Sequence, residues 1–245
     1  STDIHMGREN LLCIDCHKTE HHNIPGRSIS VSVEHSNGIG CTGCHNEKPH
    51  DDKRINEHTD SVACQTCHIP MYAKVFPTKM YWDWSKAGDD SRVDDPHHYL
   101  KIKGEFSYDD NIVPEYYWFD LTASLYIVGD KIEPEKATYI NKPGGDIKNP
   151  KAKIWPFKVH RGKQPYDKIN NYLIPPRTSG EGGYWSDFNW GEALSLGAKD
   201  VGLEYSGEYD FADTVMFWPL SHMVSPLDDA LKCADCHGEN GRLDW

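Results

Sequence analysis

The chain of 245 residues has no run of apolar residues long enough to cross a bilayer. A membrane-spanning helix needs about 20 consecutive apolar residues. Only 38% of this chain is hydrophobic, and its mean hydropathy is -0.70. Nothing at Ser1 resembles a signal peptide, so we expect the first residue to be a processed end or a cut. These features predict a protein without a membrane span.

Positive charge is also scarce. There are 26 Lys and Arg residues against 38 Asp and Glu residues, which gives a formal net charge of -12. A groove that follows a nucleic-acid backbone needs clustered basic side chains. Nucleic acid is therefore not an expected partner.

Aromatic side chains are missing from residues 1–68, whereas residues 69–232 contain all seven Phe, all thirteen Tyr and seven of the eight Trp. A stretch of that length without aromatic residues can hardly build an ordinary hydrophobic core, so bound groups should supply its apolar mass. We expect residues 69–232 to wrap around that segment and residues 233–245 to complete one compact domain.

The eight cysteines form four Cys-x-x-Cys-His motifs and leave no cysteine over. The motifs comprise Cys13, Cys16 and His17; Cys41, Cys44 and His45; Cys64, Cys67 and His68; and Cys233, Cys236 and His237. A single motif should arise by chance roughly 0.015 times in such a chain, and this motif is typical of covalent haem c attachment. On a helical turn, two thioethers can hold the porphyrin edge while the histidine reaches the iron. The sequence therefore predicts four covalently attached haem c groups, each with one proximal histidine.

Other uses of the cysteines fit the pattern less well. Structural zinc sites do not need a histidine directly after every Cys pair. Cysteines three apart on a helical turn are poorly placed to form a disulfide. A thioredoxin-like redox motif would occur once, in a βαβ context.

Ten further histidines compete for the sixth position on each iron. The candidate distal ligands that fall into a spacing pattern are His5, His22, His35, His50, His58 and His222. His35 and His58 each lie six residues ahead of the next motif's first Cys, which suggests a local repeat of a histidine followed by a motif. His22 and His50 each lie five residues beyond a proximal histidine and could reach a neighbouring haem. We expect His21, His97 and His98 to lie on the surface, and bis-histidine ligation to prevail over methionine ligation.

The expected fold is a multihaem cytochrome c that is mainly α-helical and irregular, with a few short strands around the four haems. A capped helix is predicted from Ser225 into the last motif, and another over about 187–199. Short hairpins are predicted over 100–108 and 124–132.

Several stretches together resemble the octahaem tetrathionate reductase family of c-type cytochromes. They are DIHMG (3–7), CIDCHKTEHHNIPGR (13–27), CTGCHNEKPH (41–50), ACQTCHIPMYAKVFPTKMYWDWSKAGD (63–89), PFKVHRGKQPYD (156–167), GGYWSDFNW (182–190), WPLSHMVSP (218–226) and CADCHGENGRLDW (233–245). The likeness corresponds to the C-terminal half of that family. It implies that a substrate-binding haem with a distal lysine belongs to an N-terminal, haem-bearing half that is missing here. It supports the same candidate distal ligands and adds His160 to them. Seven candidates exceed four irons, so some of these histidines are expected to serve haems of another segment or subunit.

Three functions remain open from the sequence. The first is an electron relay through closely packed haems that exchanges electrons with redox partner proteins. The second is the haem-rich half of a reductase of tetrathionate, nitrite or hydroxylamine, for which Arg161, Lys163 and Arg177 are weak anion-binding candidates. The third is a homo-oligomer or filament subunit that contacts further copies of itself. All three place the chain in the periplasm or outside the cell, where bacteria and archaea attach haem covalently.

Overall fold

The computed structural model describes residues 2–26, 29 and 38–243, and its dominant element is a mixed β-sheet. The strands are β1 (Thr78–Asp83), β2 (Tyr99–Leu100), β3 (Gly104–Asp109), β4 (Glu115–Phe119), β5 (Ala123–Leu125), β6 (Thr138–Tyr139), β7 (Asn141–Pro143), β8 (Lys153–Asp167), β9 (Tyr172–Leu173) and β10 (Tyr209–Pro219). Among the described residues, eight of these strands join in one sheet, in the order β2, β3, β1, β8, β10, β6, with β4 and β9 also paired to β8. The remaining two, β5 and β7, pair with each other.

Strand β8 organises the sheet. It pairs antiparallel with β10 along that strand's whole length, while β4, β1 and β9 share its other edge. Phe157 and Val159 of β8 are buried against Phe217 of β10 and Phe119 of β4. This aromatic cluster holds the sheet together, because each buried ring removes a large apolar area from water.

The expectation of a mainly helical chain is wrong: 21% of the described residues are helical and 26% lie in strands or bridges, most of them in one large mixed sheet. Two prolines, Pro156 and Pro165, lie inside β8, and proline ordinarily counts against a central strand. Charged residues also interrupt its apolar positions, so the period-two pattern of a strand is weak. Pairing along the whole of β10 outweighs these local signals.

The helices are short. They are α1 (Ile4–Gly7), α2 (Cys13–Cys16), α3 (Lys53–His58), α4 (Cys64–His68), α5 (Tyr184–Asp187), α6 (Trp190–Asp200) and α7 (Cys233–His237). None of the helices in the described ranges is long and apolar enough to cross a membrane.

Both helix predictions need new boundaries. The helix expected over 187–199 is broken at Phe188, whose φ of 52° is left-handed, and Asn189 then caps α6 by accepting from the N–H of Glu192 at 3.2 Å. The helix expected from Ser225 is interrupted as well. A 3-10 turn covers Leu227–Asp229, and α7 begins only at Cys233.

One of the two predicted hairpins is confirmed. Strands β2 and β3 pair antiparallel, with Leu100 opposite Gly104. Gly104 has a φ of 82°, and a Cβ there would lie 2.2 Å from the backbone oxygen of Asp83, so only glycine fits. The hairpin over 124–132 is wrong, because β5 pairs with β7 instead of with the segment that follows it.

Candidate metal centre

Each Cys-x-x-Cys-His motif forms a single helical turn. Helices α2, α4 and α7 carry three of them, and a 3-10 turn over Cys41–Gly43 carries the fourth. All eight cysteines lie within the described residues, and none of them forms a disulfide there. In two motifs the aspartate before the second cysteine closes the turn: Asp15 and Asp235 each accept the backbone N–H three residues earlier, at 2.7 Å. The turns place both sulfurs of a motif on one side.

The third motif is anchored to the sheet and to the fourth motif. The buried hydroxyl of Thr66 donates to the carbonyl of Ile154 in β8 at 2.7 Å. The N–H of Leu231, just ahead of the fourth motif, donates to the carbonyl of Cys67 at 3.0 Å. These bonds hold two cysteine motifs side by side.

The second motif lies against the third. The thiol of Cys41 hydrogen-bonds to Cys64, which raises the pKa of Cys41 and lowers that of Cys64 to about 6. Burial, together with the nearby His50 and His45, lowers the pKa of His68. Three motifs therefore form one continuous cluster.

Every motif histidine faces one further histidine from elsewhere in the chain. The ring pairs are His17 with His222 at 6.2 Å between centroids, His45 with His5 at 6.1 Å, His68 with His50 at 6.1 Å and His237 with His58 at 6.2 Å. The ring planes are near parallel in the first and third pairs, at 23° and 17°, and strongly inclined in the second and fourth, at 65° and 86°.

The spacing of these pairs suits a shared metal ion. A metal lies about 2 Å from an imidazole nitrogen, so two imidazoles on opposite sides of one metal have centroids about 6 Å apart. Ring pairs in direct contact span about 4.5 to 7 Å, so it is the recurrence of one spacing at all four motif histidines that points to a shared metal. The residues present therefore fit an axially ligated haem iron at all four motifs.

The histidines that face the third and fourth motifs come from one short segment. Asp52 caps α3 by accepting from the N–H of Arg54 at 2.7 Å, and the Nδ1 of His58 lies 2.8 Å from the carbonyl of Arg54. The backbone of His50 is held by Asn56, which accepts its N–H at 3.0 Å and donates to its carbonyl at 2.5 Å. When Nδ1 donates to a carbonyl, Nε2 is left as the metal-binding nitrogen.

The first and second motifs draw their partners from the two ends of the described chain. The Nδ1 of His17 lies 2.5 Å from the carbonyl of Pro25. Helix α1 carries His5, and the N–H of Ile4 donates to the carbonyl of Val224 at 2.8 Å. This contact docks the N-terminal helix on the segment that carries His222.

The ring pairs do not follow the local repeat expected from the spacing. His5, His58 and His222 each precede one motif in sequence and face a different one. His50 does face the neighbouring motif, as its position beyond His45 suggested. Which histidine faces which motif is therefore decided by the tertiary fold and not by distance along the chain.

Three other candidate distal ligands are not brought to a motif by the described structure. His22 is exposed, and its φ of 65° is left-handed. His35 lies outside the described residues. His160 is in β8, where burial and the neighbouring Lys158 and Lys79 lower its pKa to about 4. The three histidines expected on the surface, His21, His97 and His98, are exposed.

The candidate anion-binding cations already face carboxylates. Arg161 forms two hydrogen bonds with Glu115, at 2.8 and 3.0 Å. Arg177 pairs with Asp200 through two nitrogens, and Lys163 lies 3.9 Å from Asp213. Their charges are offset within the chain.

Sequence reasoning missed the residues that position the paired histidines, chiefly Asp3 and Asn56. Asp3 stands two residues ahead of His5 and caps α1 by accepting the N–H groups of His5 and Met6. An aspartate just ahead of a candidate ligand is the signal that could have found it.

Comparisons with known proteins support the same kind of site. Residues 79–240 match the family model described as bacterial cytochrome c, and residues 1–46 match the one described as cytochrome c554 and c-prime. The chain is 50% identical to an octahaem cytochrome c from Shewanella oneidensis of known crystal structure, with a TM-score of 0.93. That match covers 100% of this chain and 59% of the Shewanella oneidensis chain. No curated protein matches the chain.

Proposed function

The chain belongs to the bacterial cytochrome c family, and on that premise we propose that it relays electrons through four bis-histidine haems. Cytochromes of this kind bind haem c covalently, and the family matches support multihaem electron transfer. Four haems, and the identity of their axial ligands, are the parts that the proposal adds.

The four cross-chain histidine pairs carry the proposal. Cys-x-x-Cys residues would hold each porphyrin through thioethers, and the two paired imidazoles would occupy both axial positions of its iron. Haem iron supplies a reversible one-electron change when bound. The protein's own part is to hold the imidazoles in place through α1, α3 and the segment that carries His222, so that little reorganisation accompanies electron transfer.

A relay is favoured over a reductase for two reasons. Each motif histidine has a facing imidazole among the described residues, so a haem iron held at any of the four motifs would lack an open position for substrate. The cations suggested for an anionic substrate are paired with carboxylates.

The proposal extends to the setting of the chain. The match covers 59% of the octahaem relative, which supports a correspondence to part of an octahaem cytochrome; the proposal takes that part to be the C-terminal, four-haem half of a protein of the tetrathionate reductase type. Covalent haem attachment supports a location in the periplasm or outside the cell. The net charge of -12 favours redox partners with positively charged surfaces.

Haem counting and spin state test the proposal together. The pyridine haemochrome assay on the purified holoprotein should give four haems per chain. Absorption and EPR spectra of the oxidised protein should show only low-spin iron, unchanged by nitrite, cyanide or hydroxylamine. A high-spin fraction near a quarter of the iron, or one haem that shifts with ligand, would contradict the closed relay and favour the reductase.

A further inference from the structure

The side chain of Asp3 is buried directly beside one of the paired histidines. Its side chain is only 6% exposed. One carboxylate oxygen accepts the N–H groups of His5 and Met6, at 2.9 and 3.3 Å, and the other accepts the N–H of Val224 at 2.9 Å. The carboxylate is therefore fixed between α1 and the segment that carries His222.

This carboxylate also faces the imidazole of His5. The distance from Oδ1 of Asp3 to Nδ1 of His5 is 3.6 Å. Nδ1 of His17 and Nδ1 of His58, by contrast, each lie beside a neutral backbone carbonyl. His5 therefore differs from these two paired histidines in having an acidic side chain beside its ring.

A carboxylate beside the outer nitrogen of a metal-bound imidazole has a known electronic effect. At 3.6 Å the carboxylate of Asp3 acts on the His5 ring through its negative charge, which stabilises the Nδ1–H proton and makes Nε2 a stronger donor to a bound metal. A stronger donor stabilises the more highly charged, oxidised iron. Burial of the carboxylate strengthens this stabilisation of the oxidised iron, because solvent screens the negative charge poorly.

We propose that Asp3 tunes the haem of the second motif, through His5, to a lower midpoint potential than a carbonyl-supported ligand would give. The inference rests on the proposed function, since it takes His5 and His45 as the axial ligands of that haem. Asp3 acts here as a positioning residue that never touches the iron.

Helix α3 provides a matched control. Asp52 caps α3, which carries His58, just as Asp3 caps α1, which carries His5. Asp52 is exposed, however, and Nδ1 of His58 meets the carbonyl of Arg54 instead of a carboxylate. D52N therefore removes a capping charge near a paired histidine without removing a charge from its outer nitrogen.

The test is a spectroelectrochemical titration of the holoprotein and its variants. D3N, and D3S as a second variant that keeps a capping oxygen, should each move one of the four midpoint potentials to a more positive value. The other three should stay in place, and D52N should move none. EPR of D3N should still show four low-spin haems.

Several outcomes would overturn the inference. Unmoved potentials in D3N and D3S, with four low-spin haems retained, would refute the role of Asp3 and leave the proposed relay intact. Equal shifts in all four potentials, or the same shift in D52N, would show that the potentials respond to the net charge of the protein and not to the position of Asp3 beside His5. A wild-type protein without four bis-histidine haems would overturn both the inference and the proposed function.

Discussion

Replacement of His58 by alanine tests the histidine pairing at a single site. The imidazole of His58 faces that of His237 with the ring planes at 86°. Removal of His58 should leave one of the four motifs without its second imidazole, so about a quarter of the iron should become high-spin and open to cyanide. The loss should be selective, because α3 carries no other paired ring and H58A leaves the two hydrogen bonds between Asn56 and the backbone of His50 in place.

The ring planes make this prediction more specific. Parallel axial imidazoles split the iron d orbitals and give rhombic low-spin EPR signals, whereas perpendicular imidazoles leave those orbitals nearly degenerate and give strongly anisotropic ones. The pairs at 23° and 17° should give two signals of the first kind, and those at 65° and 86° two of the second. H58A should lose one strongly anisotropic signal, and H222A should lose one rhombic signal. H160A should leave all four signals unchanged. Loss of a rhombic signal in H58A, or of any signal in H160A, would refute the pairing.

Three further predictions concern the scaffold. T66V removes the hydroxyl that donates to Ile154, and since that carbonyl keeps a second donor, guanidinium unfolding should show a loss of about 1 kcal/mol. N141L leaves the N–H and carbonyl of Phe217 unpaired in the sheet, so the same assay should show a loss of about 3 kcal/mol, and a loss below that of T66V would contradict the reasoning. Burial raises the pKa of Asp167, but hydrogen bonds from backbone N–H groups and a serine hydroxyl outweigh it and hold that pKa below 3.8. Its ionised form therefore stabilises the fold above pH 3.8, and this contribution is lost as the pH falls through the lowered pKa. D167N should have a lower free energy of unfolding than wild type at pH 7, and the gap between the two should become smaller as the pH is lowered. A gap that does not change with pH would count against this role of Asp167.

The helical turns of the Cys-x-x-Cys-His motifs could be predicted from the sequence because their residue pattern is local. Two cysteines and a histidine within five residues specify one helical turn, and such turns form at α2, α4 and α7. The hairpin of β2 and β3 was predictable for the same reason, since Gly104 supplies a left-handed turn between alternating apolar residues.

The large sheet could not be predicted in the same way. Pro156 and Pro165 weaken the strand signal of β8, and its stability comes from partners that are distant in sequence. Asn141 is an example. Its side-chain amide hydrogen-bonds both the N–H and the carbonyl of Phe217, and no local sequence pattern predicts this contact.

The choice of facing histidines is equally non-local, and it links the sites to the fold. His17 lies near the start of the chain and His222 near its end, so their rings meet only when α1 and the segment after β10 dock through Ile4 and Val224. In the proposed haem sites, thioether attachment would depend on a single turn, whereas closure of the second axial position would depend on this long-range packing. The spin state of the iron would then report on tertiary structure, since the facing imidazoles are held by contacts between distant segments. The same dependence explains why spacing along the chain suggested candidate histidines and left their partners open.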